Sequence, residues 1–293
     1  MGRDKLMKEI VVLSGKGGTG KTTVTASLAY WLEDKVLVDA DVDASNLPLV
    51  LSPKVKESEG FKAGFEVLKE EELCTSCGLC LEKCRFGAIS EDLVIDPVAC
   101  EGCGVCVWFC PEEALKLKEK EVGQIFWAET PYGPLIYATL YPGEENSGKL
   151  VAEVKKKARE LAEKEGQRLI LVDGSPGVGC PVIASLSGAE AVILVAEPTV
   201  SGLHDLSRVA SLIKHFQLKA WLIINKADLN PEMAQRLKSE AQRLELGFLG
   251  EIPYDPQVFE AIHQGQPLPA VSSGAATKAL EKIYQQLKKE VFA

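Results

Sequence analysis

Ten residues near the N-terminus, Ser14-Gly15-Lys16-Gly17-Gly18-Thr19-Gly20-Lys21-Thr22-Thr23, have the types and spacing of a phosphate cradle. Gly15, Gly17, Gly18 and Gly20, with Thr19 among them, let backbone N–H groups turn inward onto phosphate oxygens. Lys21 reaches β- and γ-phosphates, and the Thr22 hydroxyl suits Mg²⁺. Thr23 leads into a helical pattern whose N-terminus adds partial positive charge. The acidic groups such a site needs stand in Asp39-Ala40-Asp41-Val42-Asp43 and at Asp173. Both places follow short apolar runs that read as strands. Carboxylates at strand ends beside a phosphate loop bind Mg²⁺ through water and orient an attacking water.

A second chemistry is written in cysteine. Eight of the nine cysteines fall between Cys74 and Cys110, and only Cys180 lies elsewhere. Clustering of this kind points to metal ligands rather than disulfides. The order is Cys74-x2-Cys77-x2-Cys80-x3-Cys84, then Cys100-x2-Cys103-x2-Cys106-x3-Cys110-Pro111. This doubled run resembles the bacterial two-cluster ferredoxins, in which three thiolates of one run and the fourth of the other surround each cube. On that pattern Cys74, Cys77, Cys80 and Cys110 hold one [4Fe–4S] cluster, and Cys84, Cys100, Cys103 and Cys106 hold the other. Zinc favours two separated pairs and fits the rhythm poorly. Arg85 replaces the proline usual after a fourth cysteine, and its charge favours the reduced cluster. Trp108 and Phe109 are expected to pack against the cluster or its small core.

The elements that must position these groups alternate. Apolar runs at 10–13, 35–38, 169–172, 191–195 and 220–224 read as buried strands, and 124–130 and 135–141 as alternating ones. Helical patterns cover 24–32, 149–165 and 202–215. A C-terminal amphipathic pattern, Leu280, Ile283, Tyr284, Leu287 and Val291, is expected to dock on the sheet. Alternation predicts an α/β, doubly wound, mainly parallel sheet. Composition changes near Pro53; residues 54–60 are charged and read as a loop. Residues 1–53 and 121–293 are thus expected to form the nucleotide domain, with 54–120 an inserted iron–sulfur domain. The glycines after Asp173 read as a mobile loop. The net charge of −9 opposes nucleic-acid binding. No apolar run of about 18 residues predicts a membrane span. The charged start has no signal-peptide core, which predicts a cytoplasmic protein.

Lys16 adds a family resemblance. Gly-Lys-Gly-Gly-Thr-Gly-Lys-Thr resembles the deviant phosphate loop of the MinD/ParA class, which includes the nitrogenase iron protein and Mrp-type carriers. The whole chain resembles the members of that class with an inserted ferredoxin domain. The resemblance implies an ATPase that binds ATP/ADP and Mg²⁺ and acts as a nucleotide-sandwich homodimer. Catalysis then rests on Lys16, which crosses to the partner's nucleotide, on Lys21, and on Asp41, which orients water. Thr22, Asp39, Asp41 and Asp173 attend the Mg²⁺. Asn225 reads the adenine edge and Pro253 packs against the base. Cys180 stands seven residues after Asp173, where the nitrogenase iron protein has a cluster ligand. With no second free cysteine it reads as a buried structural thiol or as a metal, cluster or thiol contact at the dimer axis. The implied function is ATP-driven gating of electron transfer or of metal-cluster delivery to an unidentified acceptor protein. The alternatives are a spatial organiser like MinD and an Mrp-type assembly carrier. Amidation of cobyrinate is not expected, because the chain has no room for a glutaminase domain.

Overall fold

The computed structural model describes residues 7–291. In chain order its strands and helices are β1 (Lys8–Ser14), α1 (Lys21–Trp31), β2 (Lys35–Asp39), β3 (Lys54–Lys69), α2 (Leu79–Lys83), α3 (Val105–Trp108), β4 (Leu115–Thr130), β5 (Gly133–Leu140), α4 (Ser147–Glu165), β6 (Leu169–Pro176), α5 (Cys180–Leu186), β7 (Ala191–Ala196), α6 (Val200–His215), β8 (Lys219–Asn225), α7 (Pro231–Arg243), β9 (Gly247–Ile252), α8 (Gln257–His263), α9 (Leu268–Val271) and α10 (Ala275–Val291). The chain divides into two compact units. One takes the described residues up to Glu59, then Ile125–Thr139, then those from Ser147 onward; the other takes Gly60–Gln124 and Leu140–Asn146.

The strand order of the sheet is β3-β4-β5-β2-β6-β1-β7-β8-β9, and the strands from β5 to β9 in that order lie almost wholly in the first unit. β1 lies between β6 and β7 and pairs parallel with both. β2 pairs parallel with β5 and β6, and β8 with β7 and β9. Ile10, Val11, Val12, Leu13, Val36, Leu37 and Val38 are wholly buried. Apolar side chains on both faces of a strand are what a covered parallel sheet requires. α10 docks as its pattern predicts: Leu280, Ile283 and Leu287 are buried. Tyr284 stacks on Trp31 at 5.6 Å and donates its hydroxyl to the Trp31 carbonyl at 3.1 Å.

Two local expectations are corrected. Residues 54–60 are not a loop but the start of β3. Charged side chains hide this strand, because ion pairs between β3 and β4, Lys56–Glu129 at 2.8 Å and Lys118–Glu66 at 3.0 Å, stand where apolar alternation would be expected. Asp173-Gly174-Ser175 is not part of a mobile loop either, since β6 continues to Pro176. A Cβ on Gly174 would lie 2.4 Å from Leu13 Cδ2, and the buried Ser175 hydroxyl donates to the Ala40 carbonyl at 2.7 Å. The irregular loop therefore starts at Gly177.

The second unit has its own small core of Val67, Ile89, Leu93, Cys106 and Leu115, against which Cys74, Cys80, Cys84, Cys100 and Cys110 pack. α2 and α3 each follow a left-handed glycine, Gly78 at φ 77° and Gly104 at φ 75°. Only glycine adopts that turn without strain, so the internal repeat is kept in backbone as well as in cysteine spacing. Trp108 does not pack inward: it is 90% exposed, and Phe109 is 52% exposed. Among the described residues no helix is long and apolar enough to cross a membrane.

Candidate functional site

β1 ends at Ser14 and α1 begins at Lys21, so the glycine loop is suspended between the sheet's central strand and a helix start. Gly20 occupies the N-cap position without a side-chain cap. The first-turn N–H groups of α1 are therefore free of side-chain acceptors and available to an anion. In front of them lies a cleft of about 650 Å³, within the range of small-ligand sites. Its walls include Gly17, Gly18, Thr19, Gly20, Lys21, Thr22, Thr23, Asp41, Asn225 and Pro253.

Lys21 is nearly buried and donates to Asp173 Oδ1 at 2.9 Å, with Asp41 Oδ2 at 3.8 Å. Thr22 donates to Asp173 Oδ2 at 2.6 Å, and Thr25 to Oδ1 at 3.0 Å. Burial works against the Lys21 ammonium, but Asp173, Asp39 and Asp41 outweigh it and hold its pKa above the usual value. Asp39 and Asp173 are register partners on neighbouring strands, and both are wholly buried. Burial, then repulsion from Asp173, pushes the Asp39 carboxyl up to about 7. Asp39 accepts from the Asp41 N–H, the Leu47 N–H and the Ser45 hydroxyl, each at 2.9 Å. Burial likewise lifts Asp41 to about 6. Three carboxylates thus share one buried ammonium, a balance that favours a bound divalent cation. Lys21, Thr22, Asp41 and Asp173 fit Mg²⁺ and a phosphate chain. Asp39 stands a layer behind, bracing the loop that carries Asp41.

Not every residue singled out faces the cleft. Gly15 and Lys16 turn to the start of α6, where Lys16 Nζ lies 3.2 Å from Ser201 Oγ, 3.4 Å from Thr199 Oγ1 and 3.5 Å from Glu197 Oε2. Asn225 lines the cleft, but its side-chain amide donates to the Thr19 carbonyl at 2.8 Å, tying the end of β8 to the phosphate loop. Pro253 lies beside Tyr254, whose N–H donates to Asp228 Oδ1 at 2.6 Å and so fixes the loop after β9. Cys180 is exposed at the start of α5, which corrects the first of its two readings, a buried structural thiol. It lies against the start of α4, where a Cβ on Gly148 would be 3.1 Å from its own Cβ. Sequence reasoning missed the apolar end of the cleft, Leu49, Val258, Phe259 and Ile262. It also missed Glu197, whose nearness in space to Lys16 has no sequence signal.

None of the nine cysteines is in a disulfide. Cys74, Cys77, Cys80 and Cys110 line one small pocket of the second unit; Cys84, Cys100, Cys103 and Cys106 line another. These are the two sets that the doubled rhythm implies. Among the described residues no three His, Cys, Asp or Glu side chains are arranged to hold a single metal ion. A four-thiol wall matches the donor set of a cubane cluster, whose corners are separate irons.

A profile of the CobQ/CobB/MinD/ParA nucleotide binding domain matches residues 10–268. An uncharacterized protein of Methanocaldococcus jannaschii is 30% identical over 287 residues, 97% of each chain. The septum site-determining protein MinD of Synechocystis is 25% identical over 271 residues, 88% of this chain and 80% of that one. Among solved structures, the cell division ATPase MinD of Pyrococcus furiosus aligns with a TM-score of 0.60 at 23% identity, covering 97% of this chain and 99% of that one. MinD complexed with Mg-ADP from Pyrococcus horikoshii aligns with a TM-score of 0.61 at 21% identity, covering 96% of each.

Proposed function

The chain belongs to the CobQ/CobB/MinD/ParA nucleotide-binding family, and on that footing we propose that it is a Mg²⁺-dependent ATPase working as a nucleotide-switched homodimer. The observation that carries this is the convergence of Lys21 and Thr22 on Asp173 at the back of the cleft. Phosphate draws Lys21 from Asp173 toward the β- and γ-oxygens, and the first-turn N–H groups of α1 meet the rest of the charge. Thr22 and Asp173 would hold Mg²⁺, which would neutralise phosphate charge, and Asp41 would orient the attacking water. Asn225 and the Pro253–Tyr254 loop frame the adenine. Lys16 serves the nucleotide of a second copy.

The second unit, on this proposal, holds two [4Fe–4S] clusters, one in each four-cysteine pocket. When bound, a cubane supplies one-electron chemistry. The thiolates would hold it, and the left-handed turns at Gly78 and Gly104 would leave backbone amides free to face it. The nucleotide switch then governs electron transfer, or cluster delivery, to an acceptor protein. The Pyrococcus and Synechocystis likenesses favour a second reading, a spatial organiser in which the clusters serve only to stabilise the second unit. Anaerobic purification with iron, sulfide and nucleotide analysis tests both. Bound iron and sulfide, with midpoint potentials that differ between ADP and ATP states, support the coupled reading. Cluster-replete protein with identical potentials in both states, whose cysteine variants still hydrolyse ATP and assemble normally, favours the organiser. Protein without inorganic sulfide and indifferent to adenine nucleotides refutes both.

A further inference from the structure

We propose that Glu197 is a positioning residue that holds Lys16 within its own subunit and competes with a second copy for it. The inference rests on the reading that Lys16 serves the partner's nucleotide. Glu197 is 15% exposed, and its two oxygens are divided between two cations: Oε2 is 3.5 Å from Lys16 Nζ and Oε1 is 2.5 Å from Lys226 Nζ. Thr199, from the same short junction between β7 and α6, and Ser201, in the first turn of α6, put their hydroxyls 3.4 Å and 3.2 Å from Lys16. Thr199 is itself held, accepting from the Gly202 N–H at 2.9 Å as the cap of α6. The backbone beneath Lys16 has no slack, because a Cβ on Gly15 would lie 2.2 Å from Asp205 Cβ.

One carboxylate therefore serves two lysines with different duties. Lys226 follows Asn225 on the cleft wall, and its Nζ also lies 3.4 Å from the Gly18 carbonyl in the phosphate loop. Whatever pulls Lys226 away leaves Glu197 to Lys16 alone and tightens the hold. Neutralising Glu197 loosens it. Opposite substitutions should thus move dimerisation in opposite directions, which a merely structural role for Glu197 would not produce.

The test measures the dimer dissociation constant by sedimentation at saturating Mg²⁺ and a non-hydrolysable ATP analogue. Glu197→Gln is expected to tighten the dimer about three- to fivefold, the size of a partly exposed ion pair. Lys226→Met is expected to weaken it. In a Lys16→Ala background, Glu197→Gln is expected to change nothing. An unchanged constant in Glu197→Gln, or the same tightening without Lys16, overturns the proposal while leaving the dimer reading intact. Failure of the parent chain to dimerise with the analogue overturns both.

Discussion

Replacing Lys155 with methionine keeps the length of the side chain and removes its charge, at a site where charge is deeply enclosed. The Lys155 side chain is 2% exposed and lies 2.7 Å from Glu9 Oε1, itself 4% exposed. Its ammonium also donates to the carbonyls of Ala184 at 3.1 Å, Ser187 at 2.7 Å and Ser185. One cation thereby ties the start of β1 to the C-terminal end of α5, the helix that follows the glycine loop beyond Asp173. Burial drags the Lys155 pKa down, and Glu9 only partly restores it. In the variant, Glu9 keeps Arg159 at 2.8 Å, but Arg159 is 36% exposed and a weaker counter-charge. Breaking a buried ion pair by removing one partner costs about 3–5 kcal/mol, and the carbonyls left behind add to this where water cannot reach them. Arg159 and partial hydration offset some of this, so a net loss of about 4 kcal/mol is expected, or roughly 8–16 °C in Tm. Urea unfolding followed by circular dichroism measures it. Lys155→Met combined with Glu9→Leu should recover about half, because no charge is then stranded. A loss below about 1 kcal/mol, or a double variant no better than the single one, would refute the argument.

Other outcomes follow from the site. Asp39 and Asp41 have folded pKa values of about 7 and about 6, above the unfolded carboxyl value. A raised carboxyl stabilises the fold below its unfolded pKa and loses that contribution as pH rises through the folded one. Nucleotide-free protein should therefore lose Tm between about pH 4 and 7, and Asp39→Asn should flatten the slope; a flat parent curve would contradict the assignment. Gly20 has φ 90°, and a Cβ there would lie 2.2 Å from Asn225 Nδ2. Gly20→Ala should weaken nucleotide binding by roughly tenfold or more in a titration, the loss of about one good hydrogen bond; unchanged affinity would show that Asn225 does not frame the base. Cys77→Ser and Cys103→Ser, one from each pocket, should each lower iron and sulfide content by about half in anaerobic preparations. Equal loss of all iron in either variant would mean that the pockets do not fill independently.

The nucleotide cleft was legible because its chemistry is local. A glycine loop between a strand and a helix, and an aspartate at a strand end, are each written in one short stretch, and parallel neighbours bring the separate stretches together. The cysteine sets were legible through a written repeat. Other features depend on contacts that no spacing encodes. β3 was hidden because most of its side chains are exposed and many are charged, with Val67 its one buried residue, so no apolar alternation marks it. Lys155 falls within the stripe of Val151, Val154 and Ala158, where only the buried Glu9 explains a lysine. Trp108 was expected inside by residue type, and a buried place was one of two readings of Cys180; both are exposed, since neither faces a core. Glu197 and Lys16 are far apart in sequence, so their meeting could not be read from it.

The pairing of Asp39 with Asp173 restricts how this protein can change. Their distance is set by the spacing of two hydrogen-bonded strands, about 4.8 Å, not by side-chain choice. Mutation cannot ease the repulsion by moving one carboxylate aside without shearing the sheet at its centre. The accessible adjustments are to delete a charge or to import a counter-ion. Loss of either aspartate would remove this repulsion outright, and the sheet is expected to gain stability with it.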